Sequence, residues 1–250
     1  MNESAVMSVY LSDIDSKRFG VTVARIDRLD QHDVLEVLEW CTEREVDLLM
    51  ARCPCGDTSA LHEMERQGFL TMGCLVTYRH ELDHVPPPEP LAGVALRDAT
   101  DEDADAVADL ARAAFEAHIG HYHADPRLDR SAANEVYASW AEGAVRQQAD
   151  TTLAVIAESE GSVVGFATAS EADTEVPIGG LAAVDPRYRR SGVYRALVAH
   201  RLRRLMQMGA SATVVSADLA NPAPQNCWTS LGYRIISTEY TTHWWDRGDG

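Results

Sequence analysis

Three arginines within four positions, Arg187, Arg189 and Arg190, stand immediately before Ser191-Gly192. The chain around them has a formal charge of −17, with 22 lysines and arginines against 39 aspartates and glutamates. Guanidinium groups gathered at a glycine turn make a receptor for an anion, because each presents paired N–H donors that match phosphate or carboxylate oxygens. The flanking residues favour the same chemistry. Leu181, Ala182, Ala183 and Val184 form a short apolar run that reads as a buried strand, and Asp185-Pro186 stops it. Val193, Ala196, Leu197, His200, Leu202 and Leu205 then recur at helical spacing as far as Gly209. Strand, basic turn and helix follow one another, so the backbone N–H groups of the turn and the positive end of the helix converge on one point. Arg189, Arg190, Ser191, Gly192, Val193 and Tyr194 would surround a phosphate there.

Other residues could move protons or bind metal. His121 and His123 alternate around Tyr122, with Asp125 two positions on, a pattern suited to acceptor binding or base catalysis. As metal ligands they lack a third or fourth partner at suitable spacing. Cys53-Pro54-Cys55 with His62 lacks a second pair in the same way, and no metal is expected. Glu171, Asp173 and Glu175 crowd the stretch before the Leu181 strand and supply carboxylates as candidate bases.

The elements that must position these groups fall into two parts. Residues 1–82 read as β-β-α-β-α-β, with no phosphate-binding loop. Residues 83–92 include four prolines in five positions and read as an extended, semi-rigid linker. Residues 93–250 open with a strand reaching Leu96 and a helix capped by Thr100 or Asp101. A polar loop follows from Ala117 to Pro126, then a helix capped by Ser131. Two strands joined at Gly161 come next, then the strand, turn and helix described above. A strand from Ala212, a helix over Asn221 to Leu231 with its prolines in the first turn, and a last strand from Arg234 complete the chain.

No apolar run approaches the roughly 20 residues of a membrane span. The first residues carry no basic start before an apolar block, so no signal peptide is expected. The acidic balance opposes general nucleic-acid binding, which phosphate neutralisation dominates. Five cysteines without framework spacing fit a reducing, cytoplasmic setting.

The turn resembles the coenzyme A signature of the GNAT N-acyltransferase superfamily, a strand ending in Val-x-Pro and then Arg/Gln-x-x-Gly-x-Gly/Ala at the start of a helix. Here it reads Val184-Asp185-Pro186, then Arg189-Arg190-Ser191-Gly192-Val193-Tyr194. Asn221, Pro224, Trp228, Gly232 and Tyr233 resemble a second motif of that family, Asn-x-x-Ala-x-x-x-Tyr-x-x-x-Gly-Phe. Residues 11–27, from Leu11 through Phe19-Gly20 to Arg25-Ile26-Asp27, more weakly resemble the N-terminal part of the dTDP-fucosamine acetyltransferase family.

The resemblance implies a mixed α/β (α+β) fold with a central GNAT-type sheet flanked by helices. A smaller, degenerate half-GNAT domain would sit at the N-terminus. It implies acetyl-CoA or another acyl-CoA as co-substrate, with the pyrophosphate in the turn and pantetheine along Leu181–Val184 and against Asn221. An amide near Ala183–Val184 would serve the oxyanion, and Glu175, His121 or His123 would take the amine proton. The acceptor implied is a small-molecule amine such as an amino sugar. The chain departs from the motifs at two places. Tyr194 replaces a small residue and would either crowd the turn or project toward the substrate. Trp228 replaces the tyrosine that often protonates the departing thiolate, and an indole N–H only donates a hydrogen bond. Tyr194 is then the nearest phenol. These departures leave two alternatives, a donor carried on an acyl carrier protein and a non-catalytic acyl-CoA sensor.

Overall fold

A computed structural model describes residues 9–116, 118, 120–146, 152–170 and 176–246. Glu171, Asp173 and Glu175 lie outside the described residues. The first part holds β1 (Tyr10–Leu11), α1 (Asp13–Phe19), β2 (Val23–Ile26), α2 (Val34–Glu43), β3 (Leu48–Pro54), α3 (Thr58–Arg66) and β4 (Leu70–Glu81). The second holds β5 (Ala95–Asp98), α4 (Ala104–Phe115), α5 (His121–Ala124), α6 (Arg130–Arg146), β6 (Thr152–Ser159), β7 (Ser162–Ser170) and β8 (Ile178–Val184). It continues through α7 (Val193–Gln207), β9 (Ala212–Asp218), α8 (Pro222–Ser230) and β10 (Arg234–Trp245).

All ten strands join one mixed sheet in the order β1-β2-β3-β10-β4-β9-β8-β7-β6-β5. The expected mixed α/β architecture is therefore present. The strand order also interlocks the two parts of the chain. β10, from the C-terminal end, lies antiparallel between β3 and β4, while β4 lies antiparallel against β9. The proline-rich stretch does not swing free between them. Val85 is buried in the core with α7, its carbonyl accepts from Arg203, and the Leu91 side chain lies against Gly192.

Alternation along the strands assigns the two faces. On one face α7 and α8 cover Val76, Tyr78, Val184 and Val215, and α2 and α3 cover Ala24, Ile26, Leu49 and Ala51. On the other, α4 and α6 cover Ala154, Ile156, Phe166 and Ala183, and the Tyr122–Tyr137 cluster covers Val23, Leu48 and Met50. We call this second face the acceptor face.

Three local expectations are revised. Residues 13–19, which the order β-β-α-β-α-β leaves without an element, form a helix, because the Ser12 side chain accepts from the Asp15 N–H and left-handed Gly20 ends the turn. The long helix α6 takes its cap from Asp129, whose carboxylate accepts from Ala132 N at 2.7 Å, rather than from Ser131. Residues 121–124 of the expected polar loop form the short helix α5. At the second part's entry, Thr100 closes a capping box with Asp103. Arg97 bonds the Asp103 carboxyl in two places and holds its pKa at about 2.

Candidate active site

The site is built where β8 and β9 part. They pair in parallel only at Ile178↔Val214 and Gly179↔Val215. Beyond that point the edge of β8 from Gly180 to Val184 has no strand beside it, although its other edge stays bonded to β7. Leu181, Ala182, Ala183 and Val184 thus form one arm of a fork. The C-terminal end of β9 and the start of α8 form the other. Asn221, the residue before α8, leaves its side-chain amide without a capping bond. Free main-chain groups on one arm and a free carboxamide on the other suit a chain of amides laid between them.

The basic turn closes one end of this fork. Arg187 is occupied by Asp185, in a pair that pulls the Asp185 carboxyl below its ordinary range. Arg189 and Arg190 are exposed and have no side-chain partner among the described residues. The N–H groups of Ser191, Gly192, Val193 and Tyr194 likewise find no acceptor there. Gly192 adopts φ +90°, which glycine accepts without strain, but Arg190 holds φ +62° at a strain cost of about 1 kcal/mol or more. Four orphan donors and two unpaired guanidiniums, one of them on the strained Arg190, suit an anionic ligand such as a diphosphate.

Tyr194 does not crowd the turn. Its phenol packs inward beside Trp228, and burial pushes its pKa well above the ordinary phenol range. Trp228 is buried against Tyr78 and Tyr233, with ring centroids 5.5 and 6.2 Å away. Its indole N–H is buried beside the Tyr194 hydroxyl and makes no other hydrogen bond among the described residues.

Arg201, which sequence reasoning passed over as one more basic residue of a helix, lies beneath the same point. It is 1% exposed and bonds only Thr168 O and Tyr233 Oη, both at 3.2 Å, with its Nε unpartnered. No carboxylate pairs with it among the described residues. A Cβ on Gly179 would stand 3.0 Å from the Arg201 Cζ, so the guanidinium sits at the closed end of the fork. Such an uncompensated buried charge is costly and sets a positive potential.

On the acceptor face, Asp218 ends β9 and points its carboxylate across Gly73 of β4, where a larger residue would collide with it. Tyr137 and His118 approach over Gly120, their rings edge-to-face at 5.2 Å. The His118 imidazole makes no hydrogen bond among the described residues, and burial lowers its pKa, keeping it neutral. His118 and Asp218 were missed because nothing in the run His118–Asp125 or at a strand's end marks which residue meets the fork.

The two histidines singled out by spacing have different surroundings. His123 accepts from Gly120 N at 3.4 Å through Nδ1 and bonds Asn134 Oδ1 at 2.9 Å through Nε2, so both ring nitrogens are engaged. His121 belongs to a buried chain. Its Nδ1 lies 3.0 Å from His243 Nε2, and His243 Nδ1 lies 2.8 Å from Asp125 Oδ2. Trp245 Nε1 donates to the same oxygen at 2.8 Å, and Arg127 grips Asp125 with two nitrogens. Among the described residues no group of three or more His, Cys, Asp and Glu is arranged to hold a metal ion.

The Acetyltransferase (GNAT) family model matches residues 105–233. The chain belongs to that family. It is an N-acyltransferase, and the family's donors are acyl-CoA thioesters, its acceptors amines. SpsD of Bacillus subtilis (strain 168), a spore coat polysaccharide biosynthesis protein, is 25% identical over 211 residues, covering 80% of this chain and 68% of SpsD. Among solved structures, a GCN5-related N-acetyltransferase from Sphaerobacter thermophilus superposes with TM-score 0.68 at 17% identity, over 95% of this chain and 76% of that one. A tandem GNAT protein from the clavulanic acid biosynthesis pathway gives TM-score 0.62 at 15% identity, over 90% of this chain and 76% of its own. Among the described residues no helix is long and apolar enough to cross a membrane.

Proposed function

We propose that this protein moves an acetyl group from acetyl-CoA to the amine of an amino-sugar acceptor. The observation that carries the donor half is the turn at Arg189–Tyr194, with its free N–H groups and unpaired arginines at the mouth of the fork. The acceptor half draws support from the named role of SpsD in polysaccharide biosynthesis. The amine enters over Gly73 and loses its proton to the neutral His118, with Asp218 opposite to hold the ammonium beforehand. It then attacks the thioester carbon, and a free N–H of the Ala183–Val184 segment receives the developing oxyanion. The tetrahedral intermediate expels the thiolate, and the proton still on the nitrogen passes to that sulfur, which leaves as the thiol and gives a neutral amide. A thiolate with an ordinary thiol pKa of about 8.5 leaves without an obligatory acid. Here the Trp228 N–H and the field of Arg201 favour its charge, and the buried Tyr194 phenol is the reserve proton donor. The inward packing of Tyr194 also removes the crowding that motivated a carrier-protein donor.

The test is calorimetric titration of acetyl-CoA, followed by thiol release with a panel of amino sugars. Arg190→Gly removes one guanidinium while relieving the backbone strain, so loss of affinity in that variant would not reflect unfolding. Tight wild-type binding weakened at least about tenfold in the variant is the expected result. Absence of wild-type binding would overturn the donor assignment.

A further inference from the structure

Away from the fork, the acceptor face contains an open, shallow recess lined by Arg25, Asp27, Met50, Arg52, His121 and Thr241, among others. Its charge is unusual for this chain. Acids outnumber bases by 39 to 22, yet half-buried Arg52 has no ion-pair or hydrogen-bond partner for its side chain among the described residues. Arg25 is committed on one side, its Nε to Asp15 at 2.6 Å and its Nη2 to the Tyr122 hydroxyl, which leaves Nη1 free. Asp27, the one acid on the lining, is exposed and bonds neither arginine. Thr241 adds a hydroxyl that has no hydrogen-bond partner among the described residues.

The His121 chain fixes the remaining wall. Asp125 is an acceptor only, held ionised by Arg127 and Trp245, so His243 carries its proton on Nδ1. A neutral His243 then accepts at Nε2, and His121 must donate from Nδ1. The free nitrogen of His121 is therefore Nε2, bearing a lone pair. The recess offers cationic donors and a neutral acceptor side by side, which suits a phosphoryl group with an adjacent hydroxyl.

Register relates this recess to the fork. Arg52 pairs with Thr241, Thr241 pairs with Gly73, and β4 pairs with β9, which ends in Asp218. The two places share one face and lie three strands apart, about 14 Å.

We infer that Arg52, with Arg25 and Thr241, binds a phosphoryl group of the acceptor, so that the acceptor is an extended molecule with its amine at the fork and its phosphate at the recess. This rests on the acyltransferase reading for the amine, but the phosphate site can be tested by itself. The full chain is first saturated with CoA, which fills the turn at Arg189–Tyr194, and is then titrated with inorganic pyrophosphate. One further site is expected, weakened at least about tenfold in Arg52→Gln. The melting temperature of that variant should equal or exceed that of the wild type, because an unpaired half-buried charge has been removed. No heat from the CoA-loaded wild type, or equal affinity in Arg52→Gln, would overturn the site. If CoA itself fails to bind, the donor reading falls, and the unloaded chain still answers: Arg52→Gln must then remove one pyrophosphate site.

Discussion

Replacing Asp125 by asparagine tests the buried histidine chain most directly. The carboxylate is wholly buried and receives five donors: His243 Nδ1, Trp245 Nε1, and the backbone N, Nε and Nη2 of Arg127. Burial alone would raise its pKa, and these bonds overcome that effect and hold it far below the carboxylate range. Asparagine keeps the volume but removes the charge, and it turns one acceptor into an NH₂ donor. Whichever way the amide is oriented, that NH₂ faces another donor. The bonds from His243 and Trp245 are buried and go to a charged acceptor, about 1.5–3 kcal/mol each. The Arg127 pair is 39% exposed on the arginine side and adds at most about 1 kcal/mol. A loss of about 3–4 kcal/mol is expected, since the amide retains part of the bonding. For a chain of this size that lowers the melting temperature by about 10 °C. With its NH₂ at the Oδ2 position, the amide also forces His243 to accept at Nδ1 and to donate from Nε2, which flips both imidazoles. Urea unfolding measures the loss, and nitrogen chemical shifts of His121 report the tautomer. A loss below about 1 kcal/mol with unchanged tautomers would refute the chain of donors described above.

Two further outcomes follow from the same reasoning. Arg201→Met removes a buried cation that has no carboxylate partner among the described residues, so stability should stay within about 1 kcal/mol of wild type while kcat falls at least about tenfold; a stability loss of about 3–5 kcal/mol would instead mean a paired ion. Burial pulls the pKa values of His121 and His243 below their ordinary value, so the unfolded chain takes up protons near pH 6.5 that the folded chain refuses. Stability should therefore fall as pH drops below about 6.5, by at most about 1.4 kcal/mol per pH unit for each histidine, and equal melting temperatures at about pH 7.5 and 5.5 would contradict this.

What could be read in the sequence was local. The strand, basic turn and helix from Leu181 to Gln207 lie within one stretch, and their spacing alone puts free N–H groups and arginines at one point. The short helix at Asp13–Phe19 was locally marked too, by Ser12, Asp15 and Gly20, but its seven residues carry too little apolar periodicity to stand out. The groups on the acceptor face were not legible. His243 lies 118 residues from Asp125 and 122 from His121, and no periodicity signals that three such side chains will meet. Arg201 looked like any arginine of an amphipathic helix, and only the packing of Gly179 against it reveals that it is buried.

The strand order explains why those distant residues meet. Because β10 lies between β3 and β4, its residues Thr241, His243 and Trp245 face the same side as Arg52, Met50 and Leu48. β4 in turn carries that face onward to β9 and the fork. Neither part of the chain could assemble the acceptor face alone: the first supplies Arg25, Arg52 and Gly73, and the second supplies His118, His121, Asp218 and Thr241. A one-residue slip of β10 would turn Thr241, His243 and Trp245 to the opposite face and leave Asp125 buried without its His243 and Trp245 donors. The buried Asp125–His243–His121 chain thus fixes the register of β10 as well as the wall of the recess.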